Sequence, residues 1–267
     1  MEARTLDLTI EGTEVRLACL SRAGPRPPLV SLHGFGSTKE DYADLSMHPE
    51  FQDRGLIFWD APGCGASEIG DPAALSIPFL VKVALAACEA LGVGHFHLSG
   101  HSMGGLTGLM LAHAHQERVL SFMDIEGNIA PEDCFLSRQI IEHPGGTPAD
   151  FAEGFMERVR HRAEYGSALY AAGLPAKVRD TTFEPIFNSM VALSDEAPLM
   201  EMFTGLNCPC AFLYGAQNRH LSYLGDLPAQ GVEVIEIPQS GHFPMYSNPP
   251  ALWTAMAAFL DRHDPIP

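Results

Sequence analysis

Short apolar runs alternate with longer stretches of helical spacing along most of the chain, and this alternation predicts a parallel sheet. Two alternating runs at 6–10 and 14–19 flank Gly12 and predict an N-terminal hairpin. The strands that follow are separated by helices, as the crossover connections of a parallel sheet require. The predicted strands are 29–32, 56–59, 96–99, 119–124, 210–214 and 232–236, and the predicted helices are 41–45, 77–91, 103–115 and 250–262.

This alternation is interrupted once, between residues 128 and 205. That segment contains little strand signal, whereas three stretches have helical spacing, at 134–141, 148–170 and 183–193. A chain of 267 residues can form a single large core or a core with one inserted subdomain. We therefore expect a first core segment at 1–127, a helical insertion at 128–205 and a second core segment at 206–267.

A pentapeptide with glycine at both ends, Gly100-His101-Ser102-Met103-Gly104, joins the predicted strand 96–99 to the predicted helix 103–115. The two glycines allow a sharp strand-to-helix turn, which leaves the central side chain exposed above the edge of the sheet. Serine is a weak nucleophile unless geometry exposes it and a base removes its proton. Ser102 is therefore the candidate nucleophile.

Further motifs stand in a fixed order around this pentapeptide. His33-Gly34-Phe35-Gly36 follows the strand 29–32, acidic candidates follow Ser102, and Gly241-His242-Phe243 follows the last predicted strand. Together these motifs resemble those of the α/β-hydrolase superfamily, and the resemblance covers nearly the whole chain. It implies an α/β fold with a mostly parallel central sheet, helices on both faces and an inserted helical cap at 128–205.

The resemblance also implies roles for individual residues. His242 stands in a loop that resembles the histidine loop of the family and is the expected general base. By the same resemblance, the backbone amides of Phe35 and Met103 form the oxyanion hole, because preorganised N–H groups stabilise the charge that develops on the carbonyl oxygen. Trp59-Asp60-Ala61-Pro62-Gly63 begins a glycine-rich turn in which Asp60 is expected to be structural.

The third member of the triad departs from the common pattern of the family. In most relatives an aspartate follows the strand after the cap, whereas this chain has Asn218 there. An amide orients a histidine but cannot neutralise the imidazolium that forms during catalysis. Other relatives carry the acid after the strand that follows the nucleophile helix, where this chain has Glu126. We therefore expect Glu126 to be the acid, with Asp124 and Asn218 as the alternatives.

Composition narrows the classes of partner. The 16 basic and 33 acidic residues give a formal net charge of −17, which opposes binding to nucleic acid or to an anionic membrane surface. No apolar run approaches the length of a membrane span, and the first residues lack the apolar core of a signal peptide. These features predict a cytoplasmic protein.

The spacing of the cysteines and the motifs for binding nucleotides or metals indicate whether a cofactor is expected. Six cysteines are scattered without disulfide or zinc spacing, and we expect buried free thiols. The sequence contains no P-loop, no GxGxxG and no HExxH motif. We expect neither a cofactor nor a metal ion.

The substrate class is suggested by the insertion, which is rich in phenylalanine and methionine. Flexible, large apolar side chains suit an adaptable hydrophobic pocket. We therefore expect the enzyme to hydrolyse a small to medium hydrophobic carboxylic ester or lactone through an acyl-enzyme. The alternatives are hydrolysis of a carbon–carbon bond next to a ketone, and a ligand-binding receptor on a hydrolase scaffold. The apolar residues in question are Phe135, Phe151, Phe155, Met156, Phe183, Phe187, Met190, Leu193, Leu199, Met200, Met202 and Phe203.

Overall fold

A nine-stranded sheet forms the centre of the protein, whose computed structural model describes residues 1–264. The last three residues of the predicted second core segment, 265–267, lie outside the described residues. The strands are β1 (Glu2–Ile10), β2 (Thr13–Arg22), β3 (Arg26–Leu32), β4 (Arg54–Trp59), β5 (Glu68–Ile69), β6 (Phe96–His101), β7 (Val119–Ile125), β8 (Cys210–Gly215) and β9 (Val232–Ile237).

The strand order is β1-β2-β4-β3-β6-β7-β8-β9, and β5 pairs with β2. Strand β2 runs antiparallel to β1, β4 and β5, whereas every pair from β4 across to β9 is parallel. All residues of β4 and β6 are buried, as is typical of central strands covered on both faces. The predicted α/β fold with a mostly parallel sheet is confirmed.

Nine α-helices lie within the described residues. Helix α2 contacts β3, β6 and β7, and α9 contacts β7 and β9. The helices are α1 (Ile77–Ala90), α2 (Met103–Ala114), α3 (Gln139–Glu142), α4 (Pro148–Arg160), α5 (Ser167–Lys177), α6 (Phe183–Glu196), α7 (Leu199–Thr204), α8 (Pro244–Ser247) and α9 (Pro249–His263).

Four local predictions differ from the structure. The helix expected at 134–141 is a short 3-10 helix, Pro131–Cys134, followed by the four-residue helix α3 (Gln139–Glu142). The helix expected at 148–170 is two helices, because the chain turns at Gly166 with φ 87°, a left-handed conformation that glycine adopts without steric cost. The helix expected at 41–45 is a longer 3-10 helix, Lys39–Met47. The two-residue strand β5 was not predicted, since a run this short has no readable periodicity.

The segment between β7 and β8 forms helices α3 to α7, with no named strand among its described residues. Its phenylalanines pack on the loop after β3: the ring of Phe35 lies 4.7 Å from that of Phe183 and 4.5 Å from that of Phe187. All three rings are buried. This segment therefore covers the loop in which the candidate oxyanion donor stands, while the boundaries expected at 127/128 and 205/206 stay predictions.

The sheet has its topological switch point at β3. The chain passes from β3 to β4 on one side, and β6 then pairs with β3 on the other side. In open α/β sheets, ligands bind in the crevice at the carboxyl ends of the strands beside such a point. The loops that follow β3 and β6 carry the candidate oxyanion loop and Ser102, so both lie at this crevice.

Candidate active site

Ser102 occupies a strained turn between β6 and α2. Its backbone has φ 51° and ψ −115°, a region that residues other than glycine rarely adopt. A methyl group at Gly100 would overlap the carbonyl oxygen of Gly104, and one at Gly104 would overlap that of Leu32. The two glycines of the pentapeptide are therefore required by close backbone approach, which holds the turn in the form typical of a nucleophile.

Glu126 directly follows β7, which pairs with β6, the strand that ends one residue before Ser102. Its backbone also has a positive φ, 52°, and its N–H donates to the carbonyl oxygen of Leu213 at 2.9 Å. The N–H of Gly215 donates to Oε1 at 2.6 Å, and Nδ2 of Asn218 donates to Oε2 at 2.7 Å. The carboxylate is buried, and both of its oxygens accept a hydrogen bond.

His242 lies in the loop between β9 and α8 and is buried. Its Nδ1 is 3.4 Å from Oε2 of Glu126. Its carbonyl oxygen accepts a hydrogen bond from Nε2 of His101 at 2.7 Å, and the ring of Phe135 lies edge-on at 4.8 Å. When Nδ1 donates to the carboxylate, Nε2 is left unprotonated and can act as a base.

His101 connects the nucleophile turn to the histidine loop. The centroid of its ring is 4.9 Å from that of His242, and His101 directly precedes Ser102. Burial, followed by the neighbouring His242, holds the pKa of His101 well below its ordinary value, so the ring is neutral. Among the described residues Ser102 Oγ has no hydrogen-bond partner; in unliganded enzymes such contacts often form only when substrate binds.

The candidate oxyanion hole consists of two backbone amides. In the part of the chain that the structure describes, neither the N–H of Phe35 nor that of Met103 donates to a backbone or side-chain acceptor. The loop that carries Phe35 is held by His33, whose Nδ1 donates to the carbonyl oxygen of Gly34 at 2.8 Å and whose Nε2 accepts from Ala61 N–H at 2.8 Å. Two donors thus remain free for a ligand oxygen.

The alternative acid Asp124 lies two residues before Glu126 but has different surroundings. Its carboxyl group is fully buried, and neither oxygen has a hydrogen-bond partner among the described residues. A methyl group at Gly105 or at Gly127 would overlap this carboxyl group, which therefore fills the gap between them. Burial, and then the nearby Asp133, raise the pKa of Asp124 well above its ordinary value. The other alternative, Asn218, donates a hydrogen bond to the carboxylate of Glu126.

Asp133 is a residue near the site that sequence reasoning missed. It accepts hydrogen bonds from the N–H groups of Ile129 and Ala130 at 2.9 and 2.8 Å and from the hydroxyl of Tyr223 at 2.7 Å. Burial raises the pKa of Asp133 to about 7. Asp133 ties the start of the helical segment to the loop after β8. The sequence did contain a signal for a helix start here, since Pro131 and Asp133 occupy favoured positions of a first helical turn.

Within residues 1–264, no group of three or more histidine, cysteine, aspartate or glutamate side chains could hold a metal ion. The six cysteines are unpaired, and all but Cys208 are buried. None of the helices in these residues has the length and apolar character needed to cross a membrane.

A match to a known protein family shows which family the chain belongs to. The sequence model of the alpha/beta hydrolase fold family matches residues 27–164, just over half of the chain. The chain belongs to the α/β-hydrolase family. The matched range includes Phe35, Ser102, Met103 and Glu126, and the resemblance expected from the motifs is confirmed.

Two curated relatives of this α/β-hydrolase differ in the chemistry that their names state. A pimeloyl-acyl-carrier-protein methyl ester esterase of Aeromonas hydrophila is 32% identical over 130 residues, which cover 48% of this chain and 46% of that protein. A proline iminopeptidase of Lactobacillus crispatus is 33% identical over 102 residues, which cover 37% of this chain and 35% of that protein. The chain thus spans less than half of the length of these relatives.

A solved structure shares the fold over its full length. The crystal structure of the N-acyl homoserine lactonase AidH with N-butanoyl homoserine superposes with a TM-score of 0.77, covering 100% of this chain and 99% of that one. The sequence identity is 16%. At this identity the likeness extends to the arrangement of strands and helices of this α/β-hydrolase.

Proposed function

We propose that this protein is a serine hydrolase that cleaves a small to medium hydrophobic carboxylic ester or lactone through an acyl-enzyme. The observation that carries the proposal is the contact of Glu126 with His242, 3.4 Å between Oε2 and Nδ1, at the sheet edge where Ser102 has its strained turn. A hydroxyl, an imidazole and a carboxylate in this order can pass one proton between nucleophile and leaving group.

In the first stage, Nε2 of His242 takes the proton of Ser102 as Oγ attacks the carbonyl carbon of the substrate. The resulting oxyanion accepts hydrogen bonds from the free amides of Phe35 and Met103. The imidazolium, held at Nδ1 by Glu126, then gives its proton to the leaving oxygen as the carbon–oxygen bond breaks. An alcohol leaves, or, with a lactone, the hydroxyl stays attached to the acyl group.

In the second stage, water replaces the alcohol. His242 removes a proton from the water molecule as the water oxygen attacks the acyl carbon. His242 then gives this proton to Oγ of Ser102 when the acyl-enzyme bond breaks. The carboxylic acid product carries the oxygen of that water. Glu126 keeps the imidazole in one tautomer through both stages.

A hydrophobic substrate is favoured by the aromatic side chains near these groups. Phe135 contacts His242, and Phe183 and Phe187 cover Phe35. The likeness to the N-acyl homoserine lactonase AidH and to the methyl ester esterase of Aeromonas hydrophila supports ester and lactone chemistry as the first choice.

We also propose a cytoplasmic location. Unpaired cysteines are typical of reducing compartments, and all six cysteines are free. The net charge of −17 favours a small-molecule substrate over nucleic acid or an anionic membrane as partner.

The proposal is tested by assaying the full chain with p-nitrophenyl butyrate, an acyl lactone and a vinylogous diketone. The wild type is expected to hydrolyse the ester and the lactone. Ser102→Ala is expected to lower kcat by roughly a thousandfold or more, because the nucleophile is lost. Ser46→Ala, which removes a hydroxyl bonded to the carbonyl oxygen of Ala43, is the matched control and is expected to keep wild-type turnover.

Three outcomes would contradict this assignment. Equal activity of Ser102→Ala and wild type would reject serine catalysis. Turnover of the diketone alone would favour carbon–carbon bond hydrolysis. A rise in melting temperature with one of these compounds, without turnover, would favour a ligand receptor.

A further inference from the structure

Asn218 stands against the carboxylate of Glu126 and is buried. It ends a short 3-10 helix, Ala216–Asn218, that begins directly after β8. Its Nδ2 donates to Oε2 of Glu126 at 2.7 Å, and this same oxygen is the one that lies 3.4 Å from Nδ1 of His242. The other oxygen, Oε1, accepts from the N–H of Gly215 at 2.6 Å.

These two donors fix the rotation of the carboxylate. Glu126 has three side-chain torsions, and the last is broad, so a single hydrogen bond leaves the carboxylate free to turn about that bond. With Gly215 on Oε1 and Asn218 on Oε2, only one orientation satisfies both donors, and in that orientation Oε2 faces the imidazole. Gly215 contributes a backbone group, so Asn218 is the side chain on which the orientation depends.

We propose that Asn218 is a positioning residue that aims Oε2 of Glu126 at His242, and that position 218 requires a neutral hydrogen-bond donor. The inference rests on the proposed function, since it assigns Glu126 the role of the acid. An aspartate at 218 would place a second carboxylate in contact with the first, and two carboxylates in contact cannot both ionise without a large energetic penalty. The amide supplies the donor without the charge.

The surroundings of Asn218 distinguish this role from simple loop anchoring. Asn218, Phe135, Arg162 and His242 line one cavity of about 170 Å³. A truncated side chain at 218 would open Oε2 to this cavity, which is lined in part by the charged side chain of Arg162 and is large enough for water. Water would then satisfy Oε2 without fixing its direction. The fold should therefore tolerate Asn218→Ala, while the orientation of the acid should not.

The first arm of the test measures kcat and KM of Asn218→Ala on p-nitrophenyl butyrate in the full chain. Active sites are counted by titration with a fluorophosphonate, so that unfolded protein does not enter kcat. A positioning role predicts a fall in kcat of roughly tenfold to a hundredfold, the size typical of residues that orient a functional side chain through a hydrogen bond. KM is expected to stay unchanged within about twofold. A kcat within twofold of the wild type would overturn the inference.

The second arm measures the pH profile of kcat/KM for Asn218→Asp, which keeps the size of the side chain. The carboxyl groups at 126 and 218 would then share one proton until the second, raised pKa of the pair is passed. The profile is therefore expected to show an additional ionisation that the wild type lacks. Because the profile is read within one variant, partial unfolding does not affect it. A profile that coincides with that of the wild type would overturn the inference.

Asn207→Asp is the matched control for charge. Asn207 is exposed and precedes β8, so it lies at the end of the sheet opposite to Asn218. The pH profile of kcat/KM of Asn207→Asp is expected to coincide with that of the wild type.

Failure of the inference is distinguishable from failure of the proposed function. If Glu126→Gln is inactive while Asn218→Ala is fully active, only the positioning role is lost. If Glu126→Gln is also fully active, the assignment of the acid is lost.

Discussion

Oε2 of Glu126 lies 3.4 Å from Nδ1 of His242, although 116 positions separate the two residues in the chain. The side chains are 2% and 5% exposed, so this contact is shielded from water. In such surroundings a carboxylate stabilises an imidazolium far more than it would in bulk water. The contact therefore joins the end of β7 to the histidine loop both structurally and, in the proposed mechanism, electrostatically.

Glu126→Gln is expected to lower kcat on p-nitrophenyl butyrate by on the order of 10²- to 10⁴-fold, because an amide neither neutralises the imidazolium nor fixes its tautomer. Glu153→Gln, at an exposed position of α4, is the matched control and should keep wild-type kcat. The comparison uses steady-state kinetics of purified proteins with equal titrated active sites. Equal kcat in all three proteins would remove Glu126 from the mechanism.

Ser102 is expected to carry backbone strain that glycine relieves. At φ 51° and ψ −115°, a side chain costs of order 1–3 kcal/mol, so Ser102→Gly should be more stable than Ser102→Ala by about 1 kcal/mol after the entropy cost of glycine. Ala255→Gly in α9 should show the opposite sign, a loss of about 1 kcal/mol. Urea unfolding measures each difference. A less stable Ser102→Gly would mean that the turn is unstrained.

Asp124 makes the stability of the protein depend on pH. Its carboxyl has a pKa well above the ordinary 3.8, so the folded state keeps its proton where the unfolded chain releases it. This stabilising term is fully present below about pH 4 and is lost as pH rises, by up to about 1.4 kcal/mol per unit until the folded-state pKa is reached. Asp124→Asn removes the term.

The free energy of unfolding of Asp124→Asn, relative to the wild type, should therefore increase between pH 4 and pH 7. Denaturant unfolding at several pH values measures this difference, in which other titrating groups such as Asp133 largely cancel. A difference that stays constant over this range would show that Asp124 is ionised in the folded protein.

Asp60 is expected to be a major contributor to stability. It is fully buried, and its carboxylate accepts from the N–H and Nζ of Lys39 at 2.8 and 2.7 Å and from the N–H of Ala66 at 2.9 Å. Removing one partner of a buried ion pair leaves the other uncompensated, so Asp60→Ala should cost about 3–5 kcal/mol. Asp226→Ala, on the surface, should change stability by about 0.5 kcal/mol or less.

Thermal and urea unfolding measure both variants, and Lys39→Met combined with Asp60→Ala should cost less than the sum of the two single changes. Strict additivity would mean that Lys39 and Asp60 do not interact. The glycine-rich turn that contains Asp60 was expected to be structural from the sequence, and these hydrogen bonds give that role its physical basis.

Local features of the fold could be predicted because their causes are local. The turn at Ser102 depends on two glycines that stand beside it in the sequence, and the strand-helix alternation around it extends over many residues. The break at Gly166 was missed, because residues on both sides have helical spacing and a single glycine is tolerated within a helix.

Contacts across the chain could not be read in the same way. The bond of Tyr223 to Asp133 spans 90 positions and depends on the order of β7 and β8 in the sheet. The packing of Asp124 against Gly105 and Gly127 likewise depends on how α2 meets β7. The sequence indicates Asn218 only as an alternative acid, since none of its sequence neighbours shows that its amide points at Glu126.

Covalent labelling of the nucleophile tests the central claim most directly. The full chain is treated with a fluorophosphonate, digested and sequenced by mass spectrometry, and the same experiment is repeated with Ser102→Ala. The account predicts one adduct, on Ser102, whose formation abolishes ester hydrolysis and which is absent from the variant. An adduct on another residue that abolishes activity, or undiminished turnover by a protein fully labelled at Ser102, would contradict it.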